Sequence, residues 1–152
     1  AIFFVTFLLF YSYFEEKLGY ITAFKKLILI CVHGAVKKFG KSLVSEQEVM
    51  INITNMMMET YLSESLALRI QKLNSLRDNI SVYRDILDVN LYDASHSIRK
   101  SAFDAISSFV QGDEAEQLLK AADILTRVNG VNVKDARRRI ADKLIEDNCY
   151  KF

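Results

Sequence analysis

From Glu15 to Phe39 the apolar residues Leu18, Ile21, Phe24, Ile28, Cys31, Ala35 and Phe39 recur every three or four positions, which places them on one face of a helix. Gly40 follows, and Lys37 and Lys38 occupy the closing turn where cations suit the helix dipole, so the first helix is predicted to end there. Ser45 and Glu48 have the spacing of a capping box. Val49, Ile53, Met56, Thr60, Ala67 and Ile70 then carry the rhythm through a second helix of about 30 residues. The segment NSLRDNISVYR, residues 74–84, interrupts it with Asn and Ser. Leu87, Leu91, Ala94, Ile98, Ala102, Ala105 and Phe109 mark a third helix that Gly112 ends.

Asp113, Glu114 and Glu116 put acid at the start of a fourth helix, where it opposes the positive end of the dipole. Its apolar positions are Leu118, Leu119, Ala122 and Leu125, followed by Arg127 and a stop at Asn129 and Gly130. A fifth helix opens at Asn132 or Lys134. Val133, Ala136, Ile140 and Leu144 form its apolar stripe, while Arg137, Arg138, Asp142, Glu146 and Asp147 fall largely elsewhere on the wheel. Nothing repeats at a fixed period, which argues against a solenoid. Four to five helices with short connections predict an all-α fold, an up-and-down helical bundle.

Composition agrees with that class. Hydrophobic residues make up 51% of the chain and charged residues 26%, the balance of a globular protein, and the absence of proline leaves little to interrupt long helices. With 20 Lys and Arg against 19 Asp and Glu there is no general basic field, which excludes nucleic acid as an expected partner. Cys31 and Cys149 lie far apart, and Cys31 sits in an apolar helical stretch as a small hydrophobe, which fits a reducing, cytoplasmic compartment. The lead-in AIFFVTFLLFYSYF, residues 1–14, is almost wholly apolar but is stopped by Glu15, Glu16 and Lys17, short of the roughly 20 residues a membrane span requires. It reads as a helix extension packing on a partner, as a truncated membrane or signal segment, or as a fragment edge, and the domain proper is placed at residues 15–152.

Candidate chemistry is sparse. Cys31 and His33 are two apart and so diverge around a helix, and His96 is remote from both, which leaves no metal-ligand spacing. Asp93 and His96 are three apart and are expected to form a local surface pair. No GxGxxG, Walker A or GxSxG pattern occurs, and Glu46, Glu48, Glu59 and Glu64 form no evident acid and base pair. No catalytic, cofactor-binding or metal-binding residue is assigned. Met56, Met57 and Met58 are expected to fill the core, with an adaptable contact surface as the alternative. Arg137, Arg138 and Arg139 are about 100° apart in turn around a helix, so they cannot converge on one anion; at least one is expected at the edge of the buried face, paired with a carboxylate.

The wording of the segments adds to this. FKKLILICVHGAVKKFGKSLVSEQEVMINITNMMMETYLSESLALRIQKL, residues 24–73, resembles the helical extension of certain bacterial acyl-CoA dehydrogenases. LYDASHSIRKSAFDAISSF (91–109), GDEAEQLL (112–119) and KDARRRIADKLIEDNCYKF (134–152) resemble the carboxyl-terminal end of the same proteins, which are similar in layout to very-long-chain acyl-CoA dehydrogenases. The resemblance implies a non-catalytic C-terminal helical domain, or a fragment containing it, of an FAD-dependent acyl-CoA dehydrogenase of fatty acid β-oxidation. It implies that FAD and the proton-abstracting glutamate belong to a catalytic body ahead of this extension. Neither role passes to Glu46, Glu48, Glu59 or any other glutamate of this chain, which is expected to bind no cofactor and to be inactive alone. The partners it implies are that catalytic body and, in the parent enzyme, a homo-oligomer, in the cytoplasm or peripheral at a membrane. Two rival readings are a small membrane-associated helical protein anchored by Phe3, Phe4, Phe7, Leu8 and Phe10, and a generic helical interaction module using Met56 to Met58.

Overall fold

A computed structural model describes residues 2–76 and 79–149, with side chains from residue 13 onward. The elements are α1 (Ile2–Phe39), a 3-10 turn (Gly40–Ser45), α2 (Gln47–Asn74), α3 (Ser81–Phe109), α4 (Asp113–Leu125) and α5 (Val133–Asp147). No strand occurs among the described residues.

Side-chain pairs fix the directions of these helices. Tyr13 meets Asp88 near the starts of α1 and α3, and Gly34 meets Phe109 near their ends, so the two run parallel with the long α2 returning between them. Arg99 of α3 bonds Asp123 of α4, and further back along α3 Asp93 and Asp85 receive Arg137 and Arg139 of α5. The two short helices therefore run one after the other back along α3. Five helices make four columns, an up-and-down bundle whose last column is broken between Leu125 and Val133.

The expected stripes form the core. Ile21, Phe24, Leu27, Ile28, Cys31 and Ala35 of α1 meet Val49, Ile53, Met56, Ala67 and Ile70 of α2 and Leu87, Leu91, Ile98 and Ala102 of α3, all buried. Thr60 belongs to this interior because its hydroxyl donates to Met56 O, 2.8 Å away, which satisfies it within its own helix. Gly34 allows the Phe109 ring to lie against α1: a Cβ there would stand 2.3 Å from Phe109 Cε2. The last column is thinly rooted. Ala122 is the buried residue of α4 and Ala136 that of α5, while Ile140 and Leu144 are half-buried.

Two helix boundaries, the start of α2 and the start of α3, differ from the expectation. The α1 helix runs unbroken through residues 14 and 15, and Phe14 is buried, so no change of element marks the placed boundary. The membrane-anchor residues Phe3, Phe4, Phe7, Leu8 and Phe10 lie outside the described side chains. Ser45 caps nothing: the 3-10 turn ends on it, Glu46 occupies the N-cap with φ −89° and ψ 70°, and no side chain caps α2. The spacing of Ser45 and Glu48 is one residue out of register with the true helix start. The break at 74–84 is shorter than expected, since α3 begins at Ser81. Asn79 Oδ1 accepts from the Ser81 backbone N–H at 3.0 Å and from its hydroxyl at 2.9 Å, and buried Ile80 holds the entry to the helix.

Candidate docking face

The second helix is apolar on two sides. Its inner side buries Val49, Ile53, Met56, Thr60, Ser63, Ala67 and Ile70. On the outer side Met50, Met57, Tyr61 and Leu68 recur at steps of seven, four and seven, and Ile51, Met58 and Leu62 form an adjoining row one residue on. At about 100° per residue these are two neighbouring stripes on one face. All seven are exposed, Tyr61 at 69% and Met58 at 57%. A helix with apolar stripes on two sides is suited to lie between two partners, and an exposed apolar patch marks an interaction surface.

Beside this face a groove of about 420 Å³ runs between α1 and α2, lined by Ile28, Leu29, Met57, Thr60 and Tyr61. Lys25 Nζ and Glu64 Oε1 close across it at 2.6 Å. Leu29 and Val36 continue the exposed apolar surface onto α1. The methionine run is thus divided: Met56 is fully buried, while Met57 and Met58 face outward at more than half exposure. That corrects the expectation of core packing for all three, because three consecutive residues spread over about 200° of a helix and cannot all face the core.

A polar seam joins α1 to α3. Lys17, only 6% exposed, lies 3.0 Å from Asp88 Oδ1, and the Tyr13 hydroxyl donates to the same oxygen at 2.9 Å. Lys17 also sits over the rings of Tyr13 and Tyr20, at 4.9 and 5.6 Å from their centroids. The Tyr20 hydroxyl donates to Glu16, and Asn129 Nδ2 donates to Glu16 at 2.6 Å, which ties the turn before α5 back to α1. Hydrogen bonding from Tyr20, then the Lys17 charge and Asn129, hold the Glu16 carboxyl below its usual range against the opposing effect of burial. Burial, then the bond to Glu16, pushes the Tyr20 hydroxyl up to about 12; Tyr13 is raised further, by burial first and Asp88 second.

The three arginines fan out. Measured from the buried Ala136, Arg137 and Arg139 fall on the two flanks of α5 and Arg138 on its back. Arg137 Nη2 donates to both Asp93 oxygens at 2.8 Å, and Arg139 forms a fork on Asp85 at 2.6 and 2.8 Å. Hydrogen bonding to Asp85 raises Arg139 further above its already high value. Arg138 is exposed and enters no ion pair among the described residues. Asn132 caps the helix by accepting from the Asp135 backbone N–H at 3.2 Å.

The remaining candidates are dispersed. Asp93 is occupied by Arg137, and His96 turns its Nδ1 to Tyr92 O at 2.8 Å, so the expected Asp93 and His96 pair does not form. Each finds a partner outside the pair, one on another helix and one on its own preceding turn. Cys31 is buried, its thiol pushed up to about 12 by burial, and Cys149 is exposed; both are free. His33 is exposed near Lys37. Glu46 and Glu59 are half-buried and Glu48 is exposed, on no common site. Among the described residues no three His, Cys, Asp or Glu side chains are grouped to hold a metal ion. The residues that matter most here, the outer stripes of α2, are the ones a search for chemical motifs passes over. Their signal was present as the 50, 57, 61, 68 spacing.

Comparison with known proteins places this helical domain. The model of the acyl-CoA dehydrogenase C-terminal domain matches residues 23–126, more than half of the chain. A probable acyl-CoA dehydrogenase of Bacillus subtilis (strain 168) is 26% identical over 138 residues, 90% of this chain and 23% of that protein. The crystal structure of an acyl-CoA dehydrogenase complexed with FAD from Bacillus anthracis superposes with a TM-score of 0.82 at 27% identity, covering 90% of this chain and 24% of that one. The chain spans about a quarter of the length of these relatives. The chain belongs to the acyl-CoA dehydrogenase C-terminal domain family.

Proposed function

We propose that this chain is the non-catalytic C-terminal helical domain of an FAD-dependent acyl-CoA dehydrogenase of fatty acid β-oxidation, and that it docks on the catalytic body through the outer face of α2. The observation that carries the reading is the double-sided apolarity of α2, whose inner stripe is buried and whose outer stripes are open. The matched relatives are about four times as long, which supplies the partner this face requires. Such an arrangement suits a cytoplasmic homo-oligomer in which the domain bears on its own subunit or on a neighbouring one.

The sequence carries no G-x-G-x-x-G pattern. In the Rossmann type of dinucleotide site a glycine-rich turn at a helix start lets N–H groups meet the pyrophosphate. Here the helix starts at Asn132 and Gly112 stand singly, and Asp113, Glu114 and Glu116 place negative charge at the start of α4. In this reading the cofactor is held by the catalytic body. The helical stretch Tyr13–Ser45, most of α1 with the 3-10 turn, is long and apolar enough to cross a membrane by length and composition, but the α1 residues Phe14, Ile21, Phe24, Leu27 and Cys31 supply the bundle core. Core burial takes up part of that apolarity, a third of the span.

The test supplies the catalytic body and this domain as separate polypeptides and measures their association by titration calorimetry. Wild type is expected to bind. Met57→Glu with Tyr61→Glu, both on the exposed face, is expected to abolish binding with unchanged circular dichroism. Equal binding by the variant overturns the docking face, and flavin absorbance or acyl-CoA-dependent dye reduction by this chain alone overturns its non-catalytic assignment.

A further inference from the structure

Where α1 passes the end of α3 and the start of α4 there is a groove of about 510 Å³, within the roughly 300–1,000 Å³ usual for small-molecule sites. Ile30, Phe109, Val110 and Leu118 give it a mostly apolar floor. Phe109 is held there because Gly34 leaves room for its ring against the α1 backbone. Lys37 and Lys38 stand at one rim beside His33, and Glu114 stands on the α4 wall. Neither lysine enters an ion pair among the described residues.

Two kinds of lining meet in one groove, and each excludes a class of occupant. A free inorganic anion would be served by the lysines but would leave the apolar floor uncovered. A neutral hydrocarbon would cover the floor and gain nothing from two ammonium groups. The two lysines outnumber the single glutamate of the lining, and that excess of positive charge is the complement of a monoanion. We propose that this groove binds a single-chain amphiphilic monoanion, a long-chain carboxylate, with its hydrocarbon on Phe109, Val110 and Leu118 and its carboxylate at the rim, in the combined field of Lys37 and Lys38. The inference does not rest on the docking reading above, since it uses neither the outer stripes of α2 nor the catalytic body.

The experiment titrates the full chain with dodecanoate below its micelle concentration, by calorimetry. Saturable binding at one site is expected, weakened at least tenfold in K37Q/K38Q, strengthened in E114Q, and at least tenfold weaker for dodecanol than for dodecanoate. Both lysines are exposed, so the variant tests the charges without opening the core. In the wild-type chain, dodecanoate is expected to shift the methyl resonances of Val110 and Leu118, a readout that needs no variant to fold. Absence of saturable binding, equal affinity in K37Q/K38Q, equal affinity for dodecanol, or methyl shifts confined to other residues each overturns the proposal. Vesicles containing phosphatidylglycerol separate the membrane source: lysine-dependent flotation without dodecanoate binding overturns it in favour of a lipid surface.

Discussion

Helix α3 meets α1 and α5 along seams of opposite kinds. Against α1 it buries Leu87, Leu91, Ile98 and Phe109, and the charged pair in that seam, Lys17 with Asp88, is largely removed from water. Against α5 it buries Ala136, and the charged pairs that flank it, Arg137 with Asp93 and Arg139 with Asp85, keep more than half of each arginine exposed. The first seam draws its stability from area removed from water and makes a missing charge partner expensive. The second uses ion pairs to fix the register and rotation of a helix that has little apolar area to spend. Similar ionic chemistry therefore has different weight in the two places, because solvent screens one and not the other.

The largest expected effect lies in the first seam. Phe24→Ala, at a fully buried site, should cost about 3–5 kcal/mol by urea unfolding. A loss much below this would mean that the α1 seam is as loosely filled as that of α5. Next, Asp88→Asn should cost about 3 kcal/mol, because it leaves the largely buried Lys17 with the longer 3.8 Å contact to Glu16, whereas the double variant K17M/D88L should recover much of that loss. If the single and double variants are equally unstable, the seam is held by shape and not by charge.

Alkaline titration sharpens the same contrast. The thiol of Cys31 has its ordinary value of 9.0 raised to about 12 and Tyr20 its value of 10.0 raised to about 12. Groups raised on folding contribute stability that is complete below their ordinary values and is lost as pH rises through the folded ones. Unfolding free energy should thus begin to fall above pH 9 and continue falling toward about 12, and Cys31→Val should move the onset to above pH 10. Glu16 runs the other way: its depressed carboxyl contributes above its ordinary value, and that contribution is lost as pH falls through the lower folded value. The smallest effects belong to α5. Arg137→Ala and Arg139→Ala should each destabilise several-fold less than Asp88→Asn and lose their effect in high salt, and Arg138→Ala should change nothing in thermal melts. An Arg138→Ala effect equal to the others would show that ion pairing does not explain the clamp.

The stripes of α1, α2 and α3 were legible because burial on a helix writes a period of 3.6 directly into the chain. The ends were less so. Ser45 and Glu48 satisfy a capping pattern that the chain does not use, since a 3-10 turn moved the helix start past Ser45. The apolar rhythm marks α3 only from Leu87, because Asn and Ser interrupt it over residues 74–84. The bond from Asn79 to Ser81 shows that those polar groups start the helix instead of interrupting it. Met57 and Met58 were drawn inward by their neighbour Met56, although a 100° turn per residue sends them outward.

By itself the sequence determined that the protein is helical, where its helices turn inward, and to which family its segments are similar. Each of these is local or periodic information, carried by neighbours within a turn or two. Only the tertiary structure decided that five helices form four columns, which carboxylates Arg137 and Arg139 meet, and that the second apolar side of α2 stays open among the described residues. Those facts depend on which carboxylates and which apolar faces arrive from residues 40 or more positions away, and helical periodicity does not encode that distance.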